Sequence, residues 1–156
     1  MIAVRPATPS DIPALMTLLI QVNLVHHNGR PDLFKGPTTK YTEAELAAIL
    51  ADPATPVFVA ADESGRVLGH GFCVLQHSGG RLMEEHDTLY IDDICVDEAA
   101  RGRGVGRALY DAILGFARER GCHNVTLNVW SCNPGAMRFY EKLGMKPYKV
   151  GMETLL

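Results

Sequence analysis

The stretch Ile91-Asp-Asp-Ile-Cys-Val96 and the stretch Arg101-Gly-Arg-Gly-Val-Gly106, which follows it closely, carry the strongest structural signal in this sequence. The first has the apolar character of a buried strand, and the second is a glycine-rich turn. A helix is predicted over Val105–Arg120, because apolar residues recur there at helical spacing. The N-terminus of a helix presents free backbone N–H groups and partial positive charge. The two stretches therefore predict an anion-binding cradle between a strand and a helix.

The composition of the turn favours a pyrophosphate as the anion. Glycines let a phosphate approach the backbone closely, and arginines add charge and bidentate donors. These residues are Arg101, Gly102, Arg103, Gly104, Gly106 and Arg107. A P-loop requires a Gly-Lys-Ser/Thr ending, which is absent. A dinucleotide fingerprint requires G-x-G-x-x-G after the first strand, whereas the spacing here is G-x-G-x-G, late in the chain. A glycine-rich loop that binds nothing is the remaining alternative.

The rest of the chain alternates between strand and helix patterns, with no internal repeat. Strands are predicted at residues 2–5, 57–61, 67–75, 88–96, 125–129 and 150–155. Helices are predicted through Leu15–Val22, with Thr8 or Ser10 as N-cap, from the capping box Thr42–Glu45, and from the Asn133-Pro134 pair. Residues 26–40 are predicted to be mostly irregular, because they contain two glycines and two prolines. The order indicates an α/β fold with one twisted mixed sheet flanked by helices.

Three segments together resemble the GNAT superfamily of N-acetyltransferases. The turn Arg101-x-x-Gly104-x-Gly106, entered from its strand, resembles the acetyl-CoA signature of that family. Asn133-Pro-Gly-Ala-Met-Arg-Phe-Tyr140-Glu-Lys-Leu-Gly144-Met145 resembles its later cofactor-binding motif, and Ile2–Asp11 resembles its usual first strand and turn. The resemblance covers nearly the whole chain, 1–156, as one domain; only residues 24–55 carry little of it.

The resemblance implies a splayed mixed sheet, with acetyl-CoA bound as the acyl donor in the notch where two strands part. The strand 89–96 would offer the backbone of Ile94 and Val96, on either side of Cys95, to the pantetheine arm. The turn from Arg101 through Val105 to Arg107 would hold the pyrophosphate. In the later motif, Asn133 and Ala136 would contact the donor, and Tyr140 would lie near the thioester sulfur. No metal is implied, and His26 and His27 lack a third ligand at a suitable spacing.

Catalysis by direct attack of an amine requires a proton donor for the departing thiolate. Tyr140 is the candidate, since a phenol with pKa near 10 can protonate a thiolate whose conjugate acid has pKa near 8.5. An aromatic core residue is the alternative interpretation of Tyr140. Asp92 is the candidate for orienting or deprotonating the amine. Strand alternation predicts that Asp92 and Asp93 point to opposite faces, unless a bulge exchanges them.

The acceptor is the least determined part of the prediction. Glu84, Glu85 and Asp87 precede Asp92 and Asp93, so five carboxylates are expected near the reaction centre. Such a cluster attracts cations, which predicts a small cationic primary amine. Asp32, Phe34, Lys35 and Tyr41 are further candidates for the acceptor pocket, and nothing in the sequence selects among them. An acyl-CoA-binding sensor and a transferase for longer acyl groups remain alternatives.

The bulk composition is that of an ordinary globular protein, with 47% hydrophobic and 21% charged residues. A net charge of -3 argues against general nucleic-acid binding, which requires a basic face. No apolar run approaches the length of a membrane span, and the first residues lack signal-peptide features, so a cytoplasmic protein without membrane partners is expected. The four cysteines show no C-x-x-C pair and are expected to be reduced. Whether the chain forms a homodimer is left open.

Overall fold

The computed structural model describes all residues, 1–156, and its centre is a five-stranded mixed sheet. The strands lie side by side in chain order, and each of the first three is antiparallel to the next. The fifth strand is parallel to the fourth. The strands are β1 (Ala3–Pro6), β2 (Val57–Ala61), β3 (Val67–Ser78), β4 (His86–Val96) and β5 (Asn124–Leu127). This arrangement confirms the predicted mixed sheet.

Four α-helices flank the sheet. They are α1 (Ile12–Gly29), α2 (Glu43–Ala51), α3 (Val105–Glu119) and α4 (Pro134–Lys142). The predicted capping box holds the start of α2, where the Thr42 side chain accepts from the Glu45 N–H at 3.1 Å. Asn133 caps α4 as predicted, accepting from the Ala136 N–H at 3.2 Å. None of the helices is long and apolar enough to cross a membrane.

The two faces of the sheet carry separate hydrophobic cores. On one face α3 packs through Leu109 and Ile113 against β2, β3 and β4. On the other face Leu15 and Leu19 of α1 and Leu46 of α2 pack against β2 and β3. Glycine in β3 brings α3 close to the sheet: a Cβ at Gly71 would lie 2.9 Å from the Ile113 side chain. A Cβ at Gly69, which pairs with Val96, would lie 3.0 Å from the Val105 side chain, so the start of α3 lies beside the end of β4.

The pairing of β4 with β5 ends halfway along β4. The last paired residues are Ile91 and Leu127, while β4 continues to Val96 without a partner on that side. The two strands therefore diverge, and an open notch follows the Ile91–Leu127 pair. This geometry confirms the splayed sheet that the sequence predicts.

Two predictions for the secondary structure were wrong. Residues 26–29 belong to α1, which extends through His26 and His27 to Gly29 before the irregular loop begins. Residues 150–155 form no strand, because nothing in the chain pairs with them. The pattern of alternating apolar residues is present there, but a strand also requires a hydrogen-bonded neighbour.

Candidate active site

The glycine-rich turn before α3 has backbone features that an anion-binding cradle requires. Gly102 and Gly104 adopt left-handed backbone conformations, with φ of 79° and 81°, which suit glycine because other residues are strained there. The six backbone N–H groups from Gly102 to Arg107 have no acceptor within the chain. They stand at the N-terminus of a 15-residue helix. A row of free donors with positive helix-dipole charge is suited to a pyrophosphate.

Gly106 has a different role from the other two glycines. A Cβ at this position would lie 2.8 Å from Cζ of Phe139 in α4, whereas a Cβ at Gly104 would meet nothing within 4 Å. Gly106 therefore lets α4 pack against the start of α3. The sequence analysis explained this glycine by the approach of a phosphate, whereas the structure explains it by the packing of α4 on α3.

The free edge of β4 presents backbone groups to the notch. Asp97 donates its N–H to the Leu68 carbonyl at 2.8 Å, toward β3. Since backbone groups alternate in direction along a strand, those of Cys95 also face β3, and those of Ile94 and Val96 face the open side. The Cys95 side chain is buried and donates to the Leu18 carbonyl at 3.5 Å. Burial raises the pKa of this thiol to about 12, with a further contribution from Asp93, so it remains a thiol at neutral pH.

A β-bulge places Asp92 and Asp93 on the same side of the sheet. Cys73 pairs with Ile91 but Phe72 pairs with Asp93, so Asp92 is the extra residue. Ile91 and Ile94 consequently both pack on the α3 side, and both carboxylates bond to residues on the opposite side. The prediction that the two aspartates face opposite sides was wrong, because it assumed regular alternation.

The Asp92 carboxylate is bound by the loop that precedes α2. Lys40 Nζ lies 2.5 Å from Asp92 Oδ2, and the Tyr41 hydroxyl donates to the same oxygen at 3.2 Å. The Tyr41 ring packs against Phe72 with centroids 5.8 Å apart. Burial raises the pKa of Tyr41, and the Asp92 charge raises it further. Lys40 was not among the residues predicted for the site.

Asp93 is paired with a fully buried histidine. His70 Nε2 lies 2.7 Å from Asp93 Oδ2, and the His70 ring packs edge-on against Phe72 at 4.8 Å. The other ring nitrogen, Nδ1, is buried without a partner. A neutral ring that donates from Nε2 satisfies this arrangement best, because a second ring N–H would have no acceptor. His70 therefore holds Asp93 in place, and no local sequence pattern predicts this pairing.

Tyr140 lies on α4 with its hydroxyl free of hydrogen bonds to the chain. Burial raises its pKa well above the usual value, and the nearby Asp93 and Tyr110 raise it further. The influence of Asp93 shows that Tyr140 and the β4 bulge share one electrostatic environment. The turn 102–107 follows the free end of β4, and Tyr140 lies within electrostatic range of Asp93 on that strand. The roles of these residues toward acetyl-CoA stay predictions.

Comparison with known proteins fits this geometry. The acetyltransferase (GNAT) family matches residues 24–145, which is most of the chain. The chain belongs to the GNAT acetyltransferase family. A solved structure of a tetramutant of the BH1408 protein from Bacillus halodurans has a TM-score of 0.94 and 30% sequence identity, covering 99% of both chains. The GNAT fold therefore holds across the full length described here.

Two curated GNAT-like relatives have names that state an activity. Glucosamine 6-phosphate N-acetyltransferase 1 of Oryza sativa subsp. japonica is 36% identical over 109 residues, 69% of this chain and 62% of that protein. Streptothricin acetyltransferase of Streptomyces lavendulae is 33% identical over 103 residues, 66% of this chain and 51% of that protein. This GNAT chain thus matches between about half and two thirds of the length of these relatives.

The acidic cluster expected in this GNAT chain is divided between two ends of β4. Asp87 precedes Asp92 by five residues, roughly 16 Å along a strand. Glu85 and Asp87 instead bond to His77, at 2.6 and 2.7 Å, near the β3–β4 turn. Glu84 lies in that same turn region. The prediction of five carboxylates at the reaction centre was wrong, and Asp92 and Asp93 remain.

Phe34, one of the acceptor-pocket candidates, packs in an aromatic group with Trp130, which was not predicted for the site. Phe34 stacks on His26 at 5.0 Å and meets Trp130 edge-on at 5.3 Å. Trp130 follows β5, at the end where β5 parts from β4. His27 Nδ1 lies 2.7 Å from the Phe34 carbonyl, so both histidines are packing residues. Of the other acceptor candidates, Asp32 pairs with Arg30, and the Lys35 carbonyl accepts from Asn23.

Proposed function

We propose that this protein transfers an acetyl group from acetyl-CoA to a primary amine by direct attack. The proposal is supported by the combination of three features in this chain. Six free N–H groups at the start of α3 suit the pyrophosphate, the free backbone of Ile94 and Val96 suits the pantetheine arm, and Tyr140 offers a hydroxyl. Arg101, Arg103 and Arg107 are exposed around the cradle and add positive charge.

The reaction needs four events that the site residues support. The neutral amine attacks the thioester carbonyl, and a backbone N–H of β4 stabilises the oxyanion. The carbon–sulfur bond then breaks, and Tyr140 donates its proton to the leaving thiolate. The proton of the acylated nitrogen leaves through a base or water. Cys95 and Cys73 cannot serve as acyl carriers at neutral pH, because burial raises the pKa of each to about 12.

We expect the amine of the acceptor to bind beside the carboxylates of Asp92 and Asp93. Lys40 Nζ is paired with the Asp92 carboxylate, which supports an alkylammonium group as the ligand of this oxygen. Half of the Lys40 side chain is exposed, so the ion pair is weak and an incoming ammonium group can replace it. The Phe34–Trp130 pair, located beyond the end of β5, supports an apolar surface for the rest of the acceptor. A small cationic primary amine fits these surroundings.

The proposed function is tested by following thiol release from acetyl-CoA with a panel of amines. The panel includes polyamines, amino acids, amino sugars and acidic peptides, and succinyl-CoA and hexanoyl-CoA replace the donor in parallel reactions. Saturable turnover with acetyl-CoA and a cationic amine is expected. Binding of acetyl-CoA without turnover on any amine would indicate a sensor, and preference for hexanoyl-CoA would indicate a longer-chain transferase.

Replacing Asp92 by asparagine should raise KM for a cationic acceptor about tenfold, because the charge that holds the ammonium group is removed. The KM for acetyl-CoA should stay unchanged. Asp87→Asn is the matched control, since Asp87 lies on the same strand but bonds to His77 at the far end. Initial rates against acceptor concentration measure the effect. Equal KM values for Asp92→Asn and the control would remove Asp92 from the acceptor site.

Turnover should rise from about pH 6 to about pH 9, because a larger fraction of the acceptor amine is then neutral. The pKa of Tyr140 is raised by burial and by Asp93, so the Tyr140 hydroxyl remains protonated throughout this range. We therefore expect no decrease of kcat at high pH from deprotonation of Tyr140. A pH series of kcat for the unmodified enzyme measures this. A decline below about pH 9 that disappears in Tyr140→Phe would contradict the assigned direction.

A further inference from the structure

Lys40 is the one lysine of this chain whose amine pairs with a carboxylate. Its Nζ lies 2.5 Å from Oδ2 of Asp92, the residue beside which we expect the acceptor amine to bind. No ion pair forms at the other four lysines, which are Lys35, Lys142, Lys146 and Lys149. A primary amine of the protein itself therefore occupies the position proposed for the amine of the substrate.

The loop that carries Lys40 is held in place on both sides of this lysine. Asn23 of α1 accepts from the Thr38 N–H at 3.0 Å and donates to the Lys35 carbonyl at 2.8 Å. The Tyr41 hydroxyl donates, at 3.2 Å, to the same carboxylate oxygen that Lys40 contacts. The backbone of Lys40 forms no backbone hydrogen bond of its own. The loop therefore delivers the lysine to the β4 bulge while its side chain stays able to move.

Lys40 and Tyr140 are both influenced by the charge of Asp93. Desolvation lowers the pKa of Lys40, but the hydrogen bond to Asp92 and the charges of Asp92 and Asp93 outweigh it, so the pKa is raised. Burial raises the pKa of Tyr140, and Asp93 raises it further. Ile94, whose backbone is proposed to hold the donor, follows Asp92 by two positions, roughly 7 Å along a strand. A lysine amine on its flexible four-carbon stem is suited to cover such a distance.

We propose that Lys40 is an acetylation site of this protein, and that its amine takes the acetyl group from acetyl-CoA bound to the same chain. This inference rests on the proposed function, because it uses the same donor and the same reaction centre. The tether replaces the encounter with a free acceptor by an intramolecular step, which raises the effective concentration of the amine.

Acetylation of Lys40 needs no group beyond those of the proposed reaction. The ammonium group first loses one proton to water. The neutral Nζ then attacks the carbonyl carbon of the thioester, so that a carbon–nitrogen bond forms and the carbon–sulfur bond breaks. The departing thiolate takes a proton from Tyr140, and the tyrosinate regains one from the acylated nitrogen. The products are acetyl-lysine, coenzyme A as its free thiol and one proton released to solvent.

Acetylation changes the charge at the proposed acceptor position. It removes the positive charge of Lys40 and with it the ion pair to Asp92. The Asp92 carboxylate keeps the Tyr41 hydroxyl as a donor, so it is not left without a partner. Lys40 and a cationic acceptor compete for this one carboxylate. The acetylated chain is therefore expected to have a KM for a cationic acceptor that is about threefold lower.

The first test is incubation of the purified chain with acetyl-CoA and no added amine, after a lysine deacetylase has removed any acetyl groups. A pH of about 9 makes more of the amine neutral. Peptide mass spectrometry should find Lys40 acetylated at least about tenfold faster than each of the other four lysines, which report the spontaneous reaction. The first-order rate constant should be the same from about 1 to about 50 μM protein, as an intramolecular step requires.

Two variants separate a catalysed transfer from a spontaneous one. Tyr140→Phe should slow the acetylation of Lys40 on the order of 10²-fold and leave the other lysines unaffected, because only the catalysed reaction loses its proton donor. Lys40→Arg keeps a cation at Asp92 but has no amine to acetylate. Treatment with acetyl-CoA should therefore lower the acceptor KM of the unmodified sequence and leave that of Lys40→Arg at its value before treatment.

The proposal is overturned if Lys40 is acetylated no faster than the other four lysines. A rate constant that increases with protein concentration would also overturn it, because the reaction would then occur between chains. Turnover on the amine panel with Lys40 left unmodified would contradict this inference alone and leave the proposed function standing. The absence of both amine turnover and Lys40 acetylation would overturn the two together.

Discussion

Replacing Tyr140 by phenylalanine is expected to lower kcat on the order of 10²-fold, which is typical for loss of a general acid. The ring keeps its edge-on packing with Phe139, at 5.1 Å, so the fold and acetyl-CoA affinity should be retained. Only the hydroxyl is lost, and it makes no hydrogen bond within the chain. The leaving thiolate must then take its proton from water. Steady-state kinetics together with calorimetric titration of acetyl-CoA separate the two effects.

Tyr110→Phe is the matched control for this substitution. Tyr110 is a buried tyrosine of α3 whose pKa is also raised by burial, and it lies near Tyr140, so its replacement controls for the loss of a buried hydroxyl next to the proposed donor. Its replacement should leave kcat nearly unchanged. If Tyr140→Phe also retained kcat within about threefold, the hydroxyl would not be the proton donor and Tyr140 would be a packing residue.

Replacing Gly104 by valine is expected to weaken acetyl-CoA binding by at least about 100-fold. A branched side chain at φ 81° strains the turn by about 1–2 kcal/mol, and it projects where the pyrophosphate approaches the free N–H groups. A Cβ there meets nothing in the protein within 4 Å, so the packed core is unaffected. Calorimetry measures the affinity, and thermal unfolding checks that the fold persists.

Substitutions at two glycines within α3 serve as comparisons for this test. Gly115→Val introduces the same side chain into the same helix, far from the turn and with no neighbour within 4 Å, so binding should stay normal. Gly106→Val should reduce both stability and binding, because its side chain collides with Phe139 and displaces α4. Unchanged acetyl-CoA affinity in Gly104→Val would show that the turn is not the pyrophosphate cradle.

The sequence alone determined the features that depend on local chemistry. The turn before α3, the caps at Thr42 and Asn133, and the strand leading into Val96 follow from short-range patterns, because caps and turns are satisfied by neighbours in sequence. These patterns were sufficient to indicate the family, the mixed sheet and the anion cradle. Ile91 and Ile94 are three residues apart, so both can face the core only if the strand contains a bulge. The two aspartates between them made this sign hard to recognise.

Only the tertiary structure decided which distant groups meet. The pairing of Asp93 with His70, the contact of Lys40 with Asp92, and the separation of Asp87 from both depend on strand register and on where a loop crosses the sheet. Register is set by packing between strands rather than by any local pattern. The same reason explains residues 150–155, for which the sequence predicts a strand. A strand exists only where another edge is available, and no edge in this chain pairs with that segment.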